Sequence, residues 1–484
     1  MSNVRSGLLF SFFGKYGLKL INLVSTVLVA RLLTPAEIGT FAIASSVVMI
    51  LTEVKLLGAN AYLVREHVLD DNKIRKAYGM TILMCWGIAF TLILGSSALA
   101  NFFNHADLQM AFVILALGFF LAPYVSVPDS LLVREYRFKE ITIVRISSTC
   151  MQVIGSLLLI YAGAGFYALA WGYFINMVVQ ATLYLYFTRD VRIYRPNFRG
   201  ISEIAKLGIF TSVSNIVRRI HYTASDIVIG KMGSPTEVGI FSRGMGFIDF
   251  ISQSVLDGIG SVSQPYMSDM QRRGNDVSIV FTKITALLCS LVWPILAIAG
   301  FAALPAIRLL FGDQWDSSAP IATVLAIWMI LKVCCFFSTP LLIAVGQEVL
   351  MFKRDVALFL LLVMSLIYSY PYGLTFMSYA FLLNAGVEVV LTLWMLKSSV
   401  QLNVKNYLSA LVKPLIVTIN CFAVAYLIDH LWPFSDSEPL KVFGILAFSM
   451  PVIWLLSTKV LKLQIYDEFI ALLIPLFHKV TGRF

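Results

Sequence analysis

The sequence predicts an all-α integral membrane protein of about 14 transmembrane helices, with two pseudo-symmetric six-helix lobes and a C-terminal helix pair. Three observations predict this fold class: the composition, the length of the apolar runs and a repeat. Of the 484 residues, 59% are hydrophobic and 13% are charged, whereas about 25% of the residues of a soluble domain are charged. So few charges cannot cover a water-facing surface, which excludes a soluble enzyme, a disordered chain and a nucleic-acid-binding protein.

Each predicted span is a mostly apolar run of about 20 residues, the length that crosses a hydrocarbon layer about 30 Å thick. The spans cover residues 7–33, 38–59, 78–100, 108–127, 141–161, 166–187, 204–229, 238–266, 279–304, 317–344, 356–370, 374–396, 408–431 and 440–460. The amphipathic segment 465–480 follows them and is predicted to lie on the membrane surface. Lys15 and Lys19 interrupt the first run and no small-residue cleavage site follows before Arg31, so we interpret this run as a span rather than a signal peptide.

The distribution of basic residues predicts the orientation. With the amino terminus in the cytoplasm, 26 of the 37 Lys and Arg residues fall in cytoplasmic loops, 4 fall outside and 7 lie within spans. Because Lys and Arg are enriched in cytoplasmic loops, both termini are predicted to be cytoplasmic in a multi-pass membrane protein. The polar run 211–226 must also cross the membrane, since its omission would place Arg272, Arg273, Lys353 and Arg354 outside.

A repeat indicates that the chain contains two related halves. The motif Thr34-Pro-Ala-Glu-Ile-Gly-Thr-Phe41 recurs 200 residues later as Ser234-Pro-Thr-Glu-Val-Gly-Ile-Phe241. In each copy the hydroxyl residue is a helix N-cap, Pro suits the first turn, and Glu completes a capping box. Each repeat holds an even number of spans, so the two copies have the same orientation. We therefore predict lobes at 1–200 and 201–400, followed by two further helices and the amphipathic tail at 401–484.

Polar residues within the first and seventh spans predict a substrate chamber. The first span carries four of them at helical spacing, Lys15, Lys19, Asn22 and Thr26. The seventh span carries their counterparts 200 residues later, Asn215, Arg219, Tyr222 and Asp226. A charge at a helix centre costs about 2.5–3.5 kcal/mol on insertion scales, so these faces should line an interior cavity rather than contact lipid. We expect them to form a basic chamber between the lobes, near the bilayer midplane.

The predicted substrate-binding residues of this chamber are Lys15, Lys19, Asn22, Asn215, Arg218, Arg219, Tyr222, Arg243 and Lys332. Three acidic residues are candidates for coupling transport to a proton or sodium gradient: Asp226, Asp249 and Glu388. Because Lys and Arg bind phosphate and carboxylate through charge-assisted hydrogen bonds, the chamber suits an anionic substrate.

Several of these charges have an alternative interpretation, in which they stabilise the fold and bind no substrate or ion. Asp226 would neutralise a neighbouring arginine, and Asp249 and Glu388 would be salt-bridge partners. Glu53 and Lys55 lie near the cytoplasmic end of their span and would extend their charged groups to the surface. Lys19 and Arg219, which the repeat relates, are the pair for which binding is the favoured interpretation.

No catalytic, metal or cofactor motif competes with this interpretation. The five histidines are scattered and no phosphate-binding glycine loop is present, so we expect neither ATP hydrolysis nor a cofactor other than a coupling ion.

Short motifs resemble the polysaccharide transporter family. They are Ala30-Arg31-Leu32-Leu33-Thr34-Pro35 through Gly39, Phe138-Lys139, Ile193-Tyr194-Arg195-Pro196 and Leu309-Leu-Phe-Gly-Asp-Gln-Trp315. That family includes the Wzx-type flippases, particularly a colanic-acid-like branch, within the multidrug/oligosaccharidyl-lipid/polysaccharide (MOP) exporter superfamily. The resemblance implies alternating access that moves an undecaprenyl-pyrophosphate-linked oligosaccharide to the periplasmic leaflet. Membrane lipid, a polysaccharide polymerase and a co-polymerase are the implied partners.

Two other functions remain as alternatives. A cation-coupled exporter of small molecules, similar to the MATE transporters, predicts an acid-dominated cavity, whereas the charges within the spans here are 7 bases against 5 acids. A membrane polysaccharide polymerase or ligase would need a large periplasmic loop, whereas the longest outward loop here is the short stretch 429–439.

Overall fold

The computed structural model describes residues 2–55, 62–64, 66, 69–188, 196–198, 202–434 and 437–471. Within these ranges it does not describe the side chains of residues 2–13, 54, 55, 202–215 and 261. The regular structure of the described residues is helical throughout. The motif residues 193–195, the segment 472–480 and the side chains of Lys55 and Asn215 lie outside the described parts.

The α-helices follow one another along the chain as α1 (Ser2–Leu32), α2 (Pro35–Lys55), α3 (Asp71–Phe102), α4 (Leu108–Arg134), α5 (Phe138–Tyr161), α6 (Tyr167–Phe187), α7 (Ser202–Met232), α8 (Pro235–Arg272), α9 (Val277–Phe301), α10 (Ala303–Phe311), α11 (Ala319–Cys334), α12 (Ser338–Ala344), α13 (Glu348–Ser369), α14 (Leu374–Ser399), α15 (Val404–Leu431) and α16 (Pro439–Val460). Two 3₁₀ turns, Asp313–Ser318 and Tyr370–Tyr372, interrupt this series. Residues 464–471 are also helical.

Ten helical segments of the described chain are long and apolar enough to cross a membrane. The other predicted spans coincide with α1, α7, α8 and α13, which are helical but are not among these ten. Most of the charges that the sequence places inside spans lie on these four helices. The all-helical membrane fold is confirmed, and the count of about 14 spans remains a prediction.

The predicted span 317–344 lies within one of these ten segments, Asp313–Ala344, but the segment is not one continuous helix. It consists of the 3₁₀ turn, α11 and the short α12, and the chain turns between Cys334 and Ser338. The hydroxyl of Tyr407 on α15 donates to the carbonyl of Cys334 at 2.7 Å. A carbonyl at a helix end has no partner in its own helix, and in the apolar interior it needs another donor. A side chain on a distant helix therefore stabilises the break, which hydropathy along the chain does not show.

The helices pack as two compact units, residues 1–242 and 243–484. In the first unit α1 packs on α5, α2 on α7, α3 on α4, and α6 on both α4 and α5. In the second unit α9 packs on α11 and α15, α14 on α11 and α13, and α16 on α15. The lobe boundaries predicted from the repeat, at residues 200 and 400, remain a prediction.

Both copies of the repeat begin a helix with the capping box that the sequence predicts. The N–H and hydroxyl of Thr34 donate to the Glu37 carboxylate at 2.9 and 2.8 Å, and the N–H of Glu37 donates back to the Thr34 hydroxyl at 3.3 Å. Ser234 and Glu237 make the same three bonds at 2.8, 3.0 and 3.3 Å. In addition, α1 and α7 span residues 2–32 and 202–232, so their bounds are 200 residues apart.

We expect Thr34→Ala and Ser234→Ala each to lower the free energy of unfolding by about 0.5–2 kcal/mol, because each removes an N-cap. Heat or detergent unfolding of the purified protein measures this. Thr91→Ala is the control, since Thr91 is an exposed residue within α3 whose hydroxyl bonds the backbone four residues earlier. Equal stability of the cap variants and the control would contradict the prediction.

Glycines bring the first turns of α2 and α8 into backbone contact within the first unit. A β-carbon on Gly39 would overlap the carbonyl oxygen of Pro235, and one on Gly239 would overlap the carbonyl oxygen of Pro35. The two contacts are related by the repeat. Only glycine permits such an approach, which explains why the repeated motif carries Gly at the same place in both copies.

Candidate functional site

The polar face predicted on α1 is accessible within the first unit. Lys15, Asn22 and Thr26 are exposed and Lys19 is half-buried. Gly14 lies against Thr142 of α5, where a β-carbon would overlap the threonine methyl group. The packing on α5 at Gly14 therefore leaves Lys15, Asn22 and Thr26 with exposed side chains.

The corresponding residues of α7 are accessible in part. Arg218 and Tyr222 are exposed, and Arg219 and Asp226 are half-buried. The side chain of Asn215 lies outside the described residues, so the fourth position of this face stays a prediction.

Arg219 forms an ion pair with Glu53 of α2. Its Nε and Nη2 donate to the same carboxylate oxygen, Oε1, at 3.0 and 2.7 Å. The side chain of Glu53 is 11% exposed and that of Arg219 is 37% exposed. Glu53 therefore points into the first unit, rather than extending to the membrane surface as its position along the span suggests.

Asp226 accepts a hydrogen bond from the Ser242 hydroxyl at 2.7 Å. Among the residues whose side chains are described, no lysine or arginine pairs with this carboxylate. The structural alternative, in which Asp226 neutralises an arginine, is therefore not what the described part of the protein shows. Asp226 remains a candidate for ion coupling.

Arg243 of α8 lies between two aromatic rings. Its guanidinium carbon is 4.9 Å from the ring centroids of both Phe311 and Trp315, a distance at which cations are attracted to aromatic faces. Within the described chain, its Nε is buried without a hydrogen-bond partner. Gly312 has a φ of +97°, a conformation that favours glycine, and it turns the chain between the two aromatic residues. The Leu309–Trp315 motif thus supplies two aromatic rings that contact the Arg243 guanidinium.

The remaining predicted residues lie on separate helices of the second unit. Lys332 places its Nζ 4.9 Å from the ring centroid of Trp328 on its own helix. Asp249 of α8 is buried and Glu388 of α14 is half-buried. The described contacts assign none of these three a shared site, so their roles in binding or coupling stay predictions.

Arg354 is a buried cation that the sequence interpretation missed, because it placed this residue in a cytoplasmic loop. Its side chain is 4% exposed and pairs with Asp355 at 2.9 Å. It also donates to the hydroxyls of Ser338, Thr339 and Thr392 at 3.1–3.3 Å. The reason is that α13 begins at Glu348, eight residues before the predicted span.

A sequence signal for the buried Arg354 does exist. Met351, Arg354, Leu358 and Leu362 are all buried, and their spacing of three and four residues is that of one helix face. The predicted span, 356–370, begins after Met351 and Arg354 and therefore does not include this charge.

Comparison with known proteins identifies the family. A family model described as polysaccharide biosynthesis protein matches residues 28–320, more than half of the chain. The chain is 25% identical to the succinoglycan biosynthesis transport protein ExoT of Rhizobium meliloti (strain 1021), over 70% of this chain and 68% of that protein. It is 22% identical to the teichuronic acid biosynthesis protein TuaB of Bacillus subtilis (strain 168), over 77% and 79%. It is 20% identical to the lipopolysaccharide biosynthesis protein WzxC of Escherichia coli (strain K12), over 84% and 83%.

Solved structures show the same fold. The lipid II flippase MurJ in an inward closed conformation matches with a TM-score of 0.74 at 15% identity, over 96% of this chain and 100% of that chain. An inward-facing MATE family transporter of the MOP superfamily matches with a TM-score of 0.65 at 14% identity, over 80% and 96%. The chain therefore belongs to the family of polysaccharide biosynthesis proteins, in the polysaccharide transporter group that its motifs resemble, and has the fold of the MOP superfamily.

Proposed function

We propose that this protein is a flippase that moves undecaprenyl-pyrophosphate-linked oligosaccharide repeat units from the cytoplasmic to the periplasmic leaflet of a bacterial inner membrane. The products would be used for a surface polysaccharide, whether exopolysaccharide, O-antigen or capsule. The observation that carries the proposal is the accessible polar face of α1, repeated on α7 two hundred residues later. ExoT is named a transport protein and MurJ a flippase, which supports transport rather than catalysis.

In this proposal the cations of α1 and α7 bind the pyrophosphate group. Lys15, Lys19, Arg218 and Arg219 supply charge-assisted hydrogen bonds, which are roughly twice as strong as neutral ones. The amides and hydroxyl of Asn22, Asn215 and Tyr222 then contact the sugars, while the lipid tail stays in the bilayer. Arg243 and Lys332 serve as further cations along the route.

Alternating access would carry the cargo across, with Asp226, Asp249 and Glu388 as the candidates for coupling to protons or sodium. Both termini would lie in the cytoplasm, as the distribution of basic residues predicts. A polymerase and its co-polymerase would take up the repeat unit on the periplasmic side.

The test is complementation of a deletion strain with the double variant Lys19→Ala/Arg219→Ala. A hydrogen bond to a charged group contributes about 1.5–3 kcal/mol, so the loss of two should weaken cargo binding at least about 100-fold. We expect loss of surface polysaccharide and accumulation of lipid-linked repeat units inside the cell.

Lys441→Ala/Lys459→Ala is the matched control, because both lysines are exposed on α16 and belong to neither polar face. Both double variants are compared at equal protein levels in the membrane. Normal surface polysaccharide in the Lys19/Arg219 variant would show that the two cations are not the binding site.

A cation-coupled exporter of small molecules is the second candidate, because the fold also matches a MATE transporter. It predicts that an imposed proton or sodium gradient drives a small organic cation out of reconstituted vesicles. Flippase activity predicts instead that a fluorescent lipid-linked oligosaccharide changes leaflet in the same vesicles. The two assays on one preparation separate the candidates.

A further inference from the structure

In the ion pair between Arg219 and Glu53 the guanidinium meets a single carboxylate oxygen, as it also does in the pair of Arg354 with Asp355. Both donors of Arg219 converge on one oxygen of Glu53. In the pair of Arg308 with Asp316, Nε and Nη2 reach both oxygens, at 2.7–3.1 Å. Two parallel bonds to two oxygens are the strong arrangement for a guanidinium and a carboxylate. By its geometry, the interaction of Arg219 with Glu53 is therefore weaker than that of Arg308 with Asp316.

The exposure of the two partners is also unequal. Arg219 keeps 37% of its side chain exposed while Glu53 is 11% exposed, so a ligand can reach the Arg219 side chain. By contrast, the side chain of Arg354 is 4% exposed, as befits an arginine that only stabilises the fold. Arg219 is held in place and remains accessible.

From the contact with a single oxygen and the accessibility of Arg219, we infer that Glu53 is a built-in competitor for the anionic group of the cargo. Without cargo, Glu53 neutralises Arg219, and a pyrophosphate displaces the carboxylate and takes over its hydrogen bonds. This inference rests on the proposed function and adds a specificity-determining residue to it.

The competitor gives selectivity against the lipids that surround the protein. A carboxylate carries one negative charge, so a phospholipid headgroup with one charge gains little by replacing it, whereas a pyrophosphate carries more charge and more acceptor oxygens. Displacement of Glu53 lowers the affinity for every anion by the same factor, so the weakly bound headgroup stays unbound at concentrations at which the pyrophosphate still binds. Because Glu53 lies on α2 and Arg219 on α7, the exchange also removes both hydrogen bonds of this ion pair between the packed helices when cargo binds.

Binding of defined lipids to the purified full-length protein in nanodiscs of zwitterionic lipid tests the inference. The probes are undecaprenyl pyrophosphate, undecaprenyl phosphate and phosphatidylglycerol, and the variant is Glu53→Gln, which keeps the shape and removes the charge. We expect the Kd for undecaprenyl pyrophosphate to fall about 2- to 5-fold, the most that an ion pair with one exposed partner is worth. The affinity for the two singly phosphorylated lipids should rise by about the same factor, because every anion that binds Arg219 has to displace the same carboxylate.

Asp269→Asn is the matched control, because it removes the acid of another ion pair, with Arg273 at 2.8 Å, and should leave every Kd unchanged. Glu53→Asp keeps the negative charge and should leave each Kd close to that of the unaltered protein. The melting temperature of each variant shows whether it is folded. A weaker or unchanged affinity of folded Glu53→Gln for undecaprenyl pyrophosphate would overturn the inference, because Glu53 would then orient Arg219 or be irrelevant to binding. If the unaltered protein binds no undecaprenyl pyrophosphate, the proposed function fails instead.

Discussion

Replacement of Gly239 by alanine is expected to lower the free energy of unfolding by about 3 kcal/mol, the upper part of the range for overpacking. The added β-carbon would overlap the carbonyl oxygen of Pro35, and Gly39→Ala would overlap that of Pro235 in the same way. A backbone carbonyl cannot rotate away as a side chain does, so the first turns of α2 and α8 must separate. Thermal unfolding in detergent measures the effect.

Gly246→Ala on the same helix is the control. No atom lies within 4 Å of the position that its β-carbon would take, and alanine is the better helix former by about 1 kcal/mol. This variant should be as stable as the unaltered protein or slightly more stable. If Gly239→Ala behaved like Gly246→Ala, the close approach of α2 and α8 would not exist in the protein.

Arg354→Met should have an effect of similar or larger size, about 3–5 kcal/mol. This is the expected cost of leaving one member of a buried ion pair without its partner. Asp355 would keep its charge at 16% side-chain exposure, and the hydroxyls of Ser338, Thr339 and Thr392 would lose their donor. Unfolding in detergent and the yield of folded protein both report the loss.

Lys353→Met provides a matched control at the neighbouring position, where the side chain is exposed. A surface substitution of this kind changes stability by no more than about 0.5 kcal/mol. The double variant Arg354→Met/Asp355→Leu should recover part of the loss, because it removes the unpaired acid as well. Equal effects of Lys353→Met and Arg354→Met would contradict the buried position of Arg354.

The features that could be predicted correctly depend on neighbours in the sequence. The ten apolar runs that the described chain shows as helical segments, and the capping boxes at Thr34 and Ser234, follow from residues that are close together in the sequence. The break after Cys334 could not be predicted in this way. The hydroxyl that supports it belongs to Tyr407, 73 residues further along the chain.

In the candidate site, too, the features set by neighbouring residues could be predicted and the contacts between distant residues could not. The repeat alone selected Lys19 and Arg219 as related cations, and Glu53 and Arg243 were also recognisable as charges within spans. Their partners were not recognisable, since Glu53 is 166 residues away from Arg219. In the sequence, the motif residues Phe311 and Trp315 indicated only a resemblance to a family. The structure shows that both rings contact Arg243.

The sequence by itself determined that this protein spans a membrane, that its motifs repeat after 200 residues and that cations lie within its spans. Composition and helical periodicity are local properties, and the bilayer makes each buried charge costly enough to be informative. Only the tertiary structure decided which of these charges are neutralised and which stay accessible. The energy of a buried charge depends on the atoms within a few ångströms of it, and distant segments such as α2 beside α7 supply those atoms.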